Sequence, residues 1–258
     1  MNKVSPKKYL GQHFLKDENI ARKIVEALEI SQDQVLIEVG PGTGVLTRHL
    51  LSHPTFYAFD LDRESIEFLN QNYPDHADSF RYADFLKTDL RKLGDDLAVI
   101  GNFPYNISSQ LFFQIYEYRP LVKQVVCMIQ KEVADRIVSP PGNKTYGILS
   151  VLLKAFFEIE YLFTVKPGAF NPPPKVNSAV IRLNRNSTKK LECNEALFKK
   201  VVKTGFGKRR KTLRNALKDL HLPLPASVSP YLTKRAEQLS MKDFIELTKK
   251  IENGSDAV

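Results

Sequence analysis

The chain has 258 residues, 43% of them hydrophobic, with 38 Lys and Arg against 29 Asp and Glu and a formal net charge of +9. That is enough apolar content for a sizeable core, no apolar run reaches bilayer-spanning length, and Cys127 and Cys193 form neither a disulfide framework nor a metal-ligand spacing. A soluble, reduced, cytoplasmic protein without a metal site is expected, whose excess of cations favours phosphate-rich partners.

The opening stretch MNKVSPKKYLGQHFLKDEN is basic and lacks the apolar core of an export signal. Beyond it, strand-like and helix-like segments alternate. The apolar runs predict strands over 35–39, 56–62, 80–84, 97–100, 124–129, 161–165 and 179–184. Helical patterns cover 18–28, 45–51, 63–72, 108–118 and 131–138. Near-continuous apolar strands separated by helices imply a parallel sheet covered on both faces. The last two strands have no helix between them and are expected to close the sheet as an antiparallel pair. After residue 184 a polar linker, RNSTKKLECNE, leads into helical patterns only: 195–206, 209–220, 229–237 and 241–251. The layout is α/β over residues 1–185, followed by a small all-helical domain over residues 186–258.

Within this order, VLIEVGPGTGVLT sets a glycine loop between the first sheet strand and the next segment. Gly40, Gly42 and Gly44 let the backbone turn sharply and approach a ligand without Cβ interference. About twenty residues on, Asp60 in YAFDLD ends the second strand, where an acid accepts hydrogen bonds from ribose hydroxyls. Asp62 competes for that role but reads better as the cap of the next helix. The spacing departs from the dinucleotide fingerprint G-x-G-x-x-G/A, and Glu38 puts an acid where a pyrophosphate would be repelled. S-adenosyl-L-methionine, cationic and free of phosphate, suits the loop better than a nicotinamide dinucleotide; a glycine turn without a ligand is the alternative. Asp84 in RYADFL ends the third strand, where it can accept from the exocyclic amine of an adenine, with Phe85 lining the ring. The alternative is a surface acid that starts a turn.

The segments GQHFL, VGPGTG, FDLD, YADF, GNFPYNIS, QKEVADR, YGILSV, FNPPPKVNSAV and KRRKTLRNAL follow one another across nearly the whole chain. Together they resemble the rRNA adenine N6,N6-dimethyltransferases, most closely the bacterial KsgA type. The resemblance implies a class I S-adenosylmethionine-dependent methyltransferase fold, Rossmann-like, with a seven-stranded, mostly parallel sheet. It implies dimethylation of two neighbouring adenosines in the 3′-terminal hairpin loop of small-subunit (16S) rRNA, with a part in small-subunit biogenesis. A monomer acting on an assembling 30S particle is the expected state, without a membrane partner.

Position by position, the family's cofactor contacts fall on His13, Leu15, Gly40, Asp60, Asp84 and Asn102, with Gly42, Leu61 and Phe85 beside them. Two residues depart from the family's usual pattern: His13 stands where asparagine is common, and Asp60 where glutamate is common. In GNFPYNIS, the Asn102 side-chain oxygen and the Phe103 carbonyl suit the two hydrogens of an adenine amine, and Pro104 fixes where that carbonyl points. Tyr105 offers an aromatic face for an extruded base, and Phe170, ahead of the NPPPK turn, is the candidate for the opposing face. Cations crowd one stretch of the helical tail, where Lys208, Arg209, Arg210, Lys211 and Arg214 are candidate RNA contacts on an amphipathic helix that buries Leu213, Leu217 and Leu220. Rival readings are an Erm-type enzyme acting on large-subunit rRNA, a DNA adenine methyltransferase, and a non-catalytic assembly factor.

Overall fold

The computed structural model describes residues 4–222 and 224–255. It divides into two compact units: the first takes residues 4–134 and Glu158–Arg185, the second Asp135–Phe157 and the chain from Asn186 onward. The division therefore differs from a single cut after residue 185. Residues 135–157 fold with the C-terminal helices, although their helical pattern reads as a continuation of the α/β alternation.

In the first unit, a two-residue strand β1 (Phe14–Leu15) precedes helix α1 (Glu18–Glu26), whose N-terminus is capped by Asp17 accepting from the amides of Asn19 and Ile20. Strands β2 (Val35–Val39), β3 (Phe56–Asp60), β4 (Phe80–Tyr82), β5 (Leu97–Asn102) and β6 (Val122–Gln130) are interleaved with helices α2 (Arg63–Asn72) and α3 (Ser108–Glu117). Helix α4 (Lys131–Val138) follows directly, then α5 (Ile148–Lys154), β7 (Phe157–Val165), the short β8 (Phe170–Asn171) and β9 (Ser178–Arg185). No helix forms over 45–51. After the glycine loop the chain makes a tight turn and a single 3-10 turn, Thr47–His49, in which the buried Thr47 hydroxyl donates to the buried Glu38.

The seven-stranded sheet runs β4-β3-β2-β5-β6-β9-β7. Strands β2 to β6 pair in parallel, and β9 enters antiparallel to β6. The central strands β2, β5 and β6 are buried almost throughout, as expected of apolar strands covered on both faces. The order reverses at β2, with β3 on one side and β5 on the other, which opens a crevice at the carboxyl ends of these strands. β1 and β8 form a separate antiparallel ladder, Phe14 opposite Asn171 and Leu15 opposite Phe170.

The second unit is helical. Its main helices are α6 (Glu195–Gly207), capped by Asn194, and α9 (Met241–Ser255), with the short α7 (Leu213–Ala216) and α8 (Ser229–Leu232) between them. Phe198, Val201, Leu213, Phe244 and Leu247 are fully buried, and Phe206 stacks on Phe244 at 5.8 Å between centroids. Among the described residues, no helix is long and apolar enough to cross a membrane.

Candidate active site

The crevice at the sheet's switch point is a cleft open to solvent, and four strand ends build it. Gly40 and Gly42 follow β2, Asp60 ends β3, Asp84 follows β4, and Asn102 ends β5; all line the cleft with Leu61, Phe85, Pro104 and Tyr105. The segment from Leu10 to Phe14 forms a further wall and brings His13 to the same cleft. Eleven sequence-expected residues thus have defined places here, ten of them on the cleft itself. The eleventh, Leu15, is buried and lines an adjoining recess with Glu38, Gly40, Gly42 and Asn102.

The backbone of the glycine loop explains its composition. Gly42 has φ +54°, and a Cβ there would stand 2.8 Å from the Phe14 ring, so a side chain would push the Leu10–Phe14 wall away. Gly101 is required for a different reason: a Cβ would meet the Val39 carbonyl oxygen at 2.3 Å, so only glycine lets the end of β5 approach β2 this closely.

Asp60 holds both carboxylate oxygens in the loop framework. Oδ1 accepts from the Asp62 amide at 2.9 Å and Oδ2 from the Gly42 amide at 3.3 Å. Burial nonetheless outweighs these hydrogen bonds and pushes its pKa up to about 6. Glu38 is 1% exposed; burial dominates, the Thr47 hydroxyl at 2.8 Å opposes, the nearby Asp60 charge adds, and its pKa rises to about 8. Asp84 accepts from the Leu86 amide at 3.0 Å, and Phe85 meets Phe59 edge-on at 5.8 Å.

At the β5 end, Asn102 Nδ2 donates to the His13 carbonyl at 2.8 Å, which orients the amide, and Oδ1 has no hydrogen-bond partner among the described residues. The Phe103 amide donates to the Met128 carbonyl at 3.0 Å, while no hydrogen bond within the described residues uses the Phe103 carbonyl. The Tyr105 hydroxyl is bonded to Ser178 Oγ at 2.5 Å, which anchors the ring, and His13 lies beside that ring at 5.3 Å between centroids. A His13 ring nitrogen, Nδ1, bonds to the Pro172 carbonyl at 2.8 Å.

Phe170 does not take the place expected of it. It is 1% exposed, sits in the hydrophobic core, and is opposite Leu15 in the small β1–β8 ladder, so it presents no face to the cleft. Asp62 does more than cap α2. Fully buried, it accepts from Lys7 Nζ at 2.5 Å, Gln12 Nε2 at 3.0 Å, and the Glu64 amide at 3.1 Å. Burial works against its charge, but the bonds from Lys7 and Gln12 prevail and hold its pKa below the usual carboxylate range. Asp62 therefore ties the Leu10–Phe14 wall to the rim of the cleft. Sequence reading missed Lys7 and Gln12; their distance in the chain from Asp62 left no local pattern to find.

In the second unit, the basic run differs from one amphipathic helix. Helix α6 ends at Gly207, residues 208–211 form a turn, and α7 has only four residues. Leu213, Leu217 and Leu220 are buried as expected. Lys208 pairs with Asp219 at 2.7 Å. Arg209 is engaged internally: it pairs with Glu237 at 3.3 Å and donates to the carbonyls of Lys144 and Tyr146. Arg210, Lys211 and Arg214 are exposed, and their side chains have no partner among the described residues.

The acidic surroundings fit S-adenosylmethionine: Asp60 as an acceptor beside a close-approach glycine loop, Asp84 and Phe85 where an adenine would lie, and no lysine or arginine among the described lining residues to meet a pyrophosphate. The chain matches the family model for ribosomal RNA adenine dimethylase over residues 4–251. It is 52% identical to the ribosomal RNA small subunit methyltransferase A of Parabacteroides distasonis over 251 residues, 96% of this chain and 94% of that one. To the protein of the same name from Phocaeicola vulgatus it is 51% identical over 256 residues, 98% and 91% of the two chains. Among solved structures, a dimethyladenosine transferase from Plasmodium falciparum is similar with a TM-score of 0.79 and 27% identity, covering 93% of this chain and 98% of that one. The 23S rRNA methyltransferase ErmE follows at 0.67 and 26%, covering 91% and 99%. With its S-adenosylmethionine-type cleft and a family match spanning both units, the chain belongs to the ribosomal RNA adenine dimethylase family.

Proposed function

We propose that the protein dimethylates N6 of two adjacent adenosines in the 3′-terminal hairpin loop of small-subunit (16S) rRNA, using S-adenosylmethionine. It acts as a monomer in the cytoplasm on an assembling small subunit and contributes to that subunit's maturation. The observation that carries this reading is the Asn102 amide, turned by its bond to the His13 carbonyl so that Oδ1, without a partner among the described residues, is left as the acceptor at the cleft.

The adenine amine is a weak nucleophile because its lone pair is delocalised into the ring. Asn102 Oδ1 and the Phe103 carbonyl accept from the amine's hydrogens, favour a pyramidal nitrogen, and so localise the lone pair. Pro104 stiffens the turn that aims the Phe103 carbonyl. Tyr105, held by Ser178, provides the face on which the extruded base rests, offsetting its loss of stacking. Asp60 would accept from ribose hydroxyls of the bound cofactor, and Asp84 from its adenine amine. When bound, S-adenosylmethionine supplies an activated methyl carbon on a sulfonium whose departure leaves a neutral thioether. The protein's share is alignment, and no side chain with a matched pKa is needed to remove a proton before transfer.

The exposed Arg210, Lys211 and Arg214 are assigned to RNA phosphates. The likeness to ErmE makes large-subunit rRNA the second reading, but identity of 51–52% to small-subunit enzymes against 26% favours the small subunit. Labelled methyl transfer to undermethylated small subunits, large subunits and naked rRNA tests the choice. Small subunits should accept label, with N6,N6-dimethyladenosine as the product by mass; label confined to large subunits would overturn it.

A further inference from the structure

Among the described residues Tyr9 is the most exposed large hydrophobic side chain, at 76%, and its side chain has no hydrogen bond or ring contact with any of them. Its backbone, by contrast, lies in a hydrogen-bonded turn: the Leu10 amide donates to the Lys7 carbonyl at 3.1 Å and the Gly11 amide to the Lys8 carbonyl at 3.0 Å. Asn106 Nδ2 lies 3.5 Å from the Tyr9 carbonyl, and Asn106 directly follows Tyr105. On the chain's other side, Leu10 and Gly11 line the cleft, and Lys7 and Gln12 are bonded to the buried Asp62. An aromatic ring is thus held out into solvent on a pinned segment at the mouth of the cleft, next to the exposed Lys8.

A scattered surface aromatic needs no explanation by itself, but this one is positioned at the catalytic turn and preceded by a cation. An extruded adenosine leaves its neighbour in the strand without a stacking partner. Aromatic rings interleaved with cations compensate that loss in single-stranded RNA, the ring under the base and the cation beside the phosphate. We infer that Tyr9 is a nucleobase-stacking residue that receives the nucleotide adjacent to the adenosine seated at Asn102, with Lys8 at the intervening phosphate. The inference rests on the functional reading above and adds a substrate contact to it.

The protein has no tryptophan, so Tyr9→Trp introduces a single fluorophore at the position in question. Its emission should be quenched by a synthetic RNA hairpin carrying two adjacent loop adenosines, and much less by the same hairpin with an abasic site at the flanking position. With undermethylated small subunits, Tyr9→Ala should raise KM for RNA about 5- to 100-fold, lower kcat far less, and leave cofactor affinity intact, while Tyr9→Phe restores the original KM. Equal quenching by the abasic hairpin, or an unchanged KM in Tyr9→Ala, would overturn the inference alone. Failure of the unaltered protein to methylate rRNA would overturn the functional reading, and this inference with it.

Discussion

The Asn102 side-chain nitrogen donates to the main-chain carbonyl of His13 at 2.8 Å, joining the end of β5 to the N-terminal wall of the cleft. Because the acceptor is backbone, this bond does not depend on the identity of residue 13. The His13 ring has a separate task at the Pro172 carbonyl. His13→Ala should therefore keep kcat within about 3-fold while raising KM for cofactor or RNA, since only one hydrogen bond and a ring contact are removed. Steady-state kinetics check this, and a kcat loss as large as that of an Asn102 variant would contradict it.

Asp60, through its proposed contact with the cofactor's ribose, would link cofactor affinity to pH. Its pKa of about 6 means that the carboxylate must form before it accepts from two hydroxyls, so protonation competes with binding. Affinity should be nearly constant above pH 7 and roughly tenfold weaker at pH 5. Titration calorimetry across that range measures it. Asp60→Asn should bind more weakly at pH 7 and lose the dependence.

Glu38 affects stability in the opposite pH range. Its pKa is raised by burial from an ordinary 4.5 to about 8, so the folded state holds a proton that the unfolded chain has released. The resulting stability is complete below the unfolded value and lost as pH rises through about 8. Glu38→Gln stays neutral and can still accept from Thr47. It should match the parent near pH 4 and exceed it at pH 9 by at least about 2 kcal/mol, read from denaturant unfolding. Parallel stability curves for the two proteins would refute the buried neutral acid.

Asp62→Asn separates capping from anchoring. Asparagine still caps α2, but the charge that holds Lys7 is gone. The variant should retain its overall fold, become more sensitive to proteolysis before residue 13, and bind cofactor about tenfold more weakly, the scale of one charge-assisted bond. Unchanged cleavage and affinity would show that the wall does not need this anchor.

The basic turn of the second unit should divide by residue. Arg210→Glu and Lys211→Glu should weaken RNA binding and lower the salt slope by about 1 for each phosphate that is no longer neutralised. Arg209→Glu should chiefly lower the thermal midpoint, because it breaks the pair with Glu237 and strips donors from two carbonyls. An Arg210 variant with the parent's salt slope would remove this surface from the RNA interface.

Asn102, Asp60 and Asp84 were legible because a parallel sheet sends its strand ends to one edge, so residues at those ends converge whatever the loops do. Phe170 was not. An aromatic before a rigid proline turn reads equally well as a binding face or as core, and a two-residue ladder with Leu15 leaves no periodic trace. Arg209 shows a related limit: a run of cations shows charge but not direction, and the Glu237 carboxylate and the two carbonyls that its half-exposed guanidinium meets leave no local trace. The Asp62 anchor and the association of residues 135–157 with the second unit both depend on contacts between distant segments, which local pattern does not encode.

Single-turnover methylation of undermethylated small subunits by Asn102→Ala, at saturating cofactor, tests the central claim most directly. The rate should fall at least about 100-fold, the usual scale for losing one preorganised hydrogen-bonding group at a reacting centre, with cofactor affinity much less affected. A variant that transferred methyl groups at the parent's rate would show that the residue 102 amide does not activate the adenine amine.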